Sequence, residues 1–417
     1  MLFSSFHLQF FFPTDTVVLP AAFRPLASRG TAPLIITCFL AGLVFSGSSS
    51  ELRADEVSEH VQQLVTEADQ ILLQPAAEQD LIRLVQIDLA LSEEIDETSL
   101  AASRRVLRTL AMSENLTAMD HVHSVFENEP ERRSEVAWAL SESTSARPDD
   151  LQDWRYMVRS LNVVRGTDAA SVMRALQRFR PRANKAQWVR QVILVGLTLD
   201  ADQQAAATDL LKHWAGVPGG KAQWTLAEYQ AWFAKEYPDQ PAAHWPVDTA
   251  HRKWNLATLE HEVKNFHAAP DLIEAGRAAY EKAGCQKCHR RGKVGEAFGP
   301  DLTSLGWRRQ KSEILQAILF PSHELNEEYP SVTVELKDGR TLSGILSSGS
   351  QDKMSIVSPM SVRVEFDRAD IVQIVNQKIS NMPEGTLEPL MLDEIRALFA
   401  FLISIDGVPR PHGDELE

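Results

Sequence analysis

Two thiols and an imidazole fall within five residues at Cys285-Gln286-Lys287-Cys288-His289. The C-x-x-C-H order is the spacing of c-type haem attachment. Two thiols on one helical turn can add across the two vinyl groups of a haem lying against them, and the adjacent imidazole is then held under the iron. Two rivals use the same residues. A structural zinc site needs four ligands, and the sequence holds no second Cys pair and no H-x-x-x-H to complete it. A thioredoxin-type dithiol wants a βαβ setting, whereas a helical pattern precedes this pair. The expected cofactor is one covalently attached haem c, bound by Cys285, Cys288 and His289 with His289 on the iron.

The flanking sequence supplies the elements that would position such a group. Asp271-Leu-Ile-Glu274 predicts an N-terminal cap and a helix running to about Lys282, with Gly276 and Tyr280 one turn apart on it. Leu392 to Ile405, closed by Gly407 and Pro409, predicts a last helix on which Leu398 and Phe401 present a matching apolar face. Between the two, the pattern changes. Val332, Val334 and Leu336 alternate with polar residues ahead of the turn pair Asp338-Gly339, and Val362, Val364 and Phe366 alternate in the same way. With Leu342–Leu346, Met354–Val357 and Ile371–Val375 this makes about five short strands, enough for a small inserted β-barrel module over residues 331–377.

Upstream, residues from Glu56 to about Gly220 read as successive amphipathic helices. In the first, Val57, Val61, Leu64, Val65, Ala68, Ile71 and Leu72 fall at helical spacing. Further runs follow at Ala101–Met112, Glu131–Ser143, Asp153–Val164, Ala170–Phe179, Gln187–Leu199 and Gln203–Trp214, separated by Pro, Asp, Gly and Asn. The lengths suit stacked helix pairs of a HEAT-like solenoid, and an irregular bundle is the alternative. Val217 to Trp254 is a junction dense in Pro, Gly and Trp whose aromatics are expected to pack rather than bind, and helices are expected to resume near Leu256. His60, His121, His123 and His213 are expected to be exposed helix residues.

A chain of 417 residues allows two or three domains. The expected fold is mainly α: an export segment or anchor over 1–54, a helical domain over 55–220, a Trp/Pro-rich linker over 221–268 and a cytochrome c-like domain over 269–417. A formal net charge of -15 repels phosphates and excludes a nucleic-acid partner. Pro33 to Gly47 is an apolar run preceded by Arg24 and Arg29 and followed by small residues, as in a secretory signal, and it is short for a membrane span. The long stretch ahead of it suggests a start downstream of Met1. Leu52-Arg53-Ala54 is a poor cleavage site, so anchoring by an uncleaved segment stays open. The third cysteine, Cys38, lies in this segment, leaving Cys285 and Cys288 alone beyond it, unlike a disulfide framework.

From about Ala275 to Ile405, about a third of the chain, the sequence resembles the haem-binding domain family described from Planctomycetes and Verrucomicrobia. The matching residues are Gly276 with Tyr280, Cys285–His289, Gly299-Pro300-Asp301-Leu302-Thr303, Ile318-Leu319-Phe320-Pro321-Ser322, Tyr329, Asp338-Gly339, Gly344, Met382-Pro383-Glu384-Gly385 and Ala400-Phe401-Leu402. Phe320 stands where Asp is expected before Pro-Ser. The resemblance implies a cytochrome c fold with a small β module inserted before the axial-Met loop. By similarity to cytochromes c, the first and last helices cross closely at a Gly with an aromatic beside it. The Pro300 carbonyl would accept the proximal imidazole Nδ1–H, and Met382 would be the sixth ligand. Met391, Met354, Met360 and His323 are rivals for that role, and Met391 reads as a core residue beside Leu390 and Leu392. Trp232-Phe233 with Tyr237-Pro238-Asp239 resembles the linker such proteins carry. Relatives are often fused to helical repeats and to a β-propeller dehydrogenase, and with no propeller here that activity is not carried over.

The expected function is therefore one-electron transfer by an exported, periplasmic or extracytoplasmic mono-haem cytochrome that exchanges electrons with redox partner proteins. No Ser-His-Asp arrangement, phosphate loop or further metal cluster is legible, and no catalytic residue is assigned. A haem enzyme or sensor with a displaceable distal ligand, using His323 or Glu324, is one alternative. A helical interaction scaffold carrying a haem is the other.

Overall fold

Apolar residues at helical spacing, three of the runs opened by a side chain that accepts free amide protons, build the first half of the chain. The computed structural model describes residues 49–93, 96–113, 115–143, 149–183, 185–216, 223–248, 251–264, 266, 270–348, 352–358, 362–405 and 407–408. The expected export segment, with Cys38, lies outside them through residue 48. The first helices are α1 (Ser49–Leu72), α2 (Glu78–Ser92), α3 (Glu97–Met112), α4 (Leu116–Asn128), α5 (Arg133–Ser143), α6 (Leu151–Arg159), α7 (Gly166–Leu176), α8 (Ala186–Gly196) and α9 (Gln204–Ala215). Asp96, Asn115 and Asp150 cap α3, α4 and α6 through the amides that follow them, each worth about 1 kcal/mol. Helices two apart in sequence touch in a row, α3 on α5, α5 on α7 and α7 on α9. One apolar core runs beneath them from Val61 to Ala243.

This core also encloses polar groups. Asp88, fully buried, accepts from Ser103 Oγ at 2.6 Å, Arg132 Nη2 at 2.8 Å and His121 Nε2 at 2.8 Å. Burial pushes its carboxyl up, but the His121 hydrogen bond and the Arg132 charge outweigh that and hold it below the usual carboxylate range. His123 pairs with Asp153 at 2.9 Å, and His213 Nε2 meets the Phe179 carbonyl at 3.1 Å. The expectation of exposed histidines thus holds for His60 and fails for these three. His121 and His123 lie two residues apart on different faces of α4, and each meets a buried aspartate of another helix, Asp88 of α2 and Asp153 of α6.

The Trp-rich junction contains a helix where none was expected, α10 (Leu226–Glu236), opened by a Thr225/Glu228 capping box. Its Tyr229 and Phe233 are fully buried in the first core, with Trp224 and Trp232 against them. After it come α11 (Leu256–Lys264), α12 (Pro270–Lys282), α13 (Leu305–Arg308), α14 (Lys311–Leu319) and α15 (Leu392–Ile403). Trp254, Leu259 and Phe266 pack into a second core with α12, α14 and α15. Helix α12 begins at Pro270, so Asp271 sits in its first turn rather than capping it. Proline suits a first helical position because that position has no intrahelical use for an N–H.

The alternating stretch forms one antiparallel sheet of β1 (Ser331–Leu336), β2 (Thr341–Ser348), β3 (Lys353–Val357), β4 (Arg363–Asp367) and β5 (Ile371–Asn376), in the order β4-β3-β2-β1-β5. Val334 faces Leu342 on one side and Ile374 on the other. Val332, Val334, Leu336, Met354, Ile356 and Phe366 make its separate apolar core. No helix among the described residues is long and apolar enough to cross a membrane.

Candidate functional site

The site begins with a helix crossing that only glycine permits. A Cβ on Gly276 would lie 1.9 Å from the Ala397 carbonyl oxygen and 2.6 Å from Phe401 Cβ, so α12 and α15 are in backbone contact there. One turn on, the Tyr280 ring lies 5.4 Å from Phe401. Tyr280 then reaches the motif itself, donating its hydroxyl to the His289 carbonyl at 2.6 Å.

Gly284, at φ +76°, ends α12, and Cys285–Lys287 make a single tight turn. The Cys288 and His289 amides both donate to the Cys285 carbonyl, at 3.2 and 2.9 Å. Both cysteines are half-buried thiols rather than a disulfide. The 298–303 loop folds back onto this turn. Phe298 and Gly299 amides donate to the Cys288 carbonyl at 3.0 and 2.8 Å, the Leu302 amide donates to Arg290 at 2.8 Å, and Arg290 pairs with Asp301 at 2.6 Å.

That loop fixes the imidazole. His289 Nδ1 lies 2.8 Å from the Pro300 carbonyl oxygen. A carbonyl only accepts, so Nδ1 carries the proton and Nε2 keeps its lone pair. Gly299 leaves room for the ring, since a Cβ there would stand 2.8 Å from His289 Cε1. Burial lowers the pKa of His289, while the Pro300 bond pulls it back up, and the balance favours the neutral form that ligates metals. Burial, with Cys288 adding to it, pushes the Cys285 thiol up to about 12. A redox dithiol needs the reverse, a depressed attacking thiol. Among the described residues no group of three or more His, Cys, Asp or Glu side chains is placed to hold a metal ion.

The structure therefore unites Cys285, Cys288, His289 and Pro300. Met382 belongs to another segment, half-buried in the loop before α15, its amide bonded to Ser380 Oγ at 3.1 Å. The Ser380 amide in turn donates to Ser322 Oγ at 3.1 Å. Met391, expected in the core, is 62% exposed, because it is the cap residue from which α15 starts and faces outward between buried Leu390 and half-buried Leu392. Met354 is in the sheet core and Met360 lies outside the described residues. His323 stacks on Trp245 at 5.4 Å and presents Nδ1 to Arg190 at 3.2 Å.

The helical half also grips the motif's supporting loop, through contacts that no sequence periodicity announces. Buried Arg133 donates to the Arg308 carbonyl at 2.5 Å and the Trp307 carbonyl at 3.2 Å, at the C-terminal end of α13. Gln310 donates to Pro130 at 2.6 Å and Asn162 to Glu313 at 2.5 Å. Arg308 spans back to the Asp301 carbonyl at 2.7 Å, one residue beyond Pro300. A continuous set of hydrogen bonds thus joins the helical half to the residue beside the imidazole's acceptor.

No family model matches the chain, and no curated protein matches it. The residues present nevertheless fit a covalently held haem. Two thiols share one turn, a neutral imidazole with a fixed tautomer follows them, and a buried glycine keeps the space beside that ring clear.

Proposed function

We propose that this chain is a mono-haem c-type cytochrome acting in one-electron transfer. The observation that carries the reading is the His289 Nδ1–Pro300 carbonyl bond, which fixes the tautomer and leaves the Nε2 lone pair of the histidine that follows Cys288 free to ligate. Cys285 and Cys288 would hold the haem, His289 would be the proximal ligand and Met382 the sixth. When bound, the haem supplies a one-electron couple.

The chain's own residues set the conditions for that couple. The Pro300 carbonyl would raise the basicity of His289, which favours an oxidised iron, and the Met382 thioether would favour a reduced one. Tyr280 and Arg290–Asp301 hold the motif and the loop in register. The crossing of α12 and α15 at Gly276 supports a cytochrome c-like core, with the sheet as an inserted module that closes as a small barrel. Contacts between alternate helices support a repeat-like, HEAT-like helical domain, which would offer a docking surface for redox partners. Export to the periplasm, with cleavage or anchoring of the first 54 residues, belongs to the same reading.

Engagement of His323 by Arg190 and Trp245 favours a carrier over an enzyme, since this ring is already committed as an acceptor. The test is the oxidised and reduced absorption spectrum of protein matured with haem, alongside Met382→Ala. The carrier reading expects a weak far-red sulfur-to-iron band that the variant loses, and slow carbon monoxide binding in the parent. Rapid carbon monoxide binding to the parent protein would instead support the enzyme or sensor alternative.

A further inference from the structure

Where α8, the Trp-rich junction and the approach to the Met382 loop converge, the fold leaves a cleft of about 440 Å³. Its base is Arg190, only 6% exposed. The guanidinium donates to the Pro241 and Ala242 carbonyls at 3.0 and 3.1 Å and to His323 Nδ1 at 3.2 Å. All these acceptors are neutral, and among the described residues no carboxylate lies within ion-pair distance of it. Two more cations line the walls. Lys378 is exposed and makes no ion pair among the described residues, while Arg252 holds the Leu319 carbonyl and is matched by Glu384. His244 and His323 add imidazole donors.

A buried cation without a counter-charge is costly, and proteins ordinarily pair it. Here burial lowers the Arg190 pKa to about 10, with Glu324 the acidic neighbour that opposes the shift. Arg132 is met by Asp88, Glu129 and Glu135. Arg133, as buried as Arg190, also donates only to carbonyls, those of Phe126, Trp307 and Arg308, but Arg190 differs from it in lining an open cleft. In a chain of net charge -15, a cleft with three cations against one carboxylate is an electrostatic exception.

We propose that this cleft is a binding site for a small multivalent oxyanion, a phosphate or polycarboxylate compound that supplies the counter-charge Arg190 lacks. With Nε and Nη2 held by the two carbonyls and His323, Arg190 would offer its Nη1 donors and its charge, and Lys378 a point charge at the mouth. The volume falls in the range of small-molecule sites. Glu384 works against the ligand by occupying Arg252.

Titration calorimetry of the full chain with inorganic phosphate and with citrate, at constant ionic strength against sodium chloride, tests this. One saturable site is expected for at least one of the two, and which one binds separates a phosphate ligand from a polycarboxylate. Lys378→Ala, an exposed change that leaves the fold intact, weakens binding by about tenfold, and Glu384→Gln tightens it by releasing Arg252. Arg190→Gln abolishes it. If Arg190→Gln does not fold, the Lys378 and Glu384 variants still decide. No saturable binding of either anion at millimolar concentration, or binding unchanged in both Lys378→Ala and Glu384→Gln, overturns the proposal.

Discussion

At the scale of single residues, the account rests on how tightly His289 is held. A methyl group at Gly299 meets the imidazole at 2.8 Å, so Gly299→Ala should displace the ring and cost about 1–3 kcal/mol. Denaturant unfolding and the haem-to-protein ratio of matured protein measure both effects, and an unchanged ratio with unchanged stability would remove the steric role. Protonation offers a second check. His323 has its pKa lowered to about 4 by burial and by Arg190, whereas the unfolded chain protonates it near 6.5. The folded state therefore gains stability above pH 6.5 and loses it as pH falls towards 4. His323→Gln, which keeps an acceptor for Arg190 but does not titrate, should flatten that part of the melting temperature against pH profile. A superimposable profile would contradict the assignment. The spacing of Cys285, Cys288, His289 and Pro300 is legible in the sequence because those contacts are local. Tyr280's bond to the His289 carbonyl is nearly as local, yet spacing alone does not show where a hydroxyl points. Met391 misleads because apolar neighbours do not reveal that a cap residue faces outward.

At the scale of elements, the α12–α15 crossing holds the site in place. Gly276→Ala puts a methyl group into the Ala397 carbonyl, a backbone clash that neither helix relieves by rotating a side chain. A loss of at least about 3 kcal/mol is expected in denaturant unfolding, and a loss below about 1 kcal/mol would show that the helices can separate at little cost. The strands are legible almost to the residue, because alternation and the Asp338-Gly339 turn fix their register over short distances. Helix α10 is not. Its Thr225/Glu228 capping box is hidden among Pro, Gly and Trp residues that read as a break, and burial of Tyr229 and Phe233 against the helical core overrides that composition.

At the scale of the whole molecule, the helical half and the C-terminal half are joined by Arg133, whose partner at Arg308 lies 175 residues away in sequence. No period or motif carries such a contact, so the interface is invisible until the fold is built. Arg133→Met removes the donors from the half-buried Trp307 and Arg308 carbonyls and from the Phe126 carbonyl, at a cost of about 2–4 kcal/mol. Calorimetry should show one cooperative transition in the parent protein and a lower, broadened or split transition in the variant. An unaltered single transition would mean that the halves are coupled elsewhere. All of these parts converge on one claim, that Cys285 and Cys288 carry a haem under His289. The most direct measurement is the intact mass, under acid-denaturing conditions, of protein produced in a host with c-haem maturation, compared with the Cys285→Ala/Cys288→Ala double variant. The account predicts that the parent protein retains the mass of one haem and the double variant none. A parent protein that loses its haem to denaturation, or never acquires one while folding normally, would contradict it.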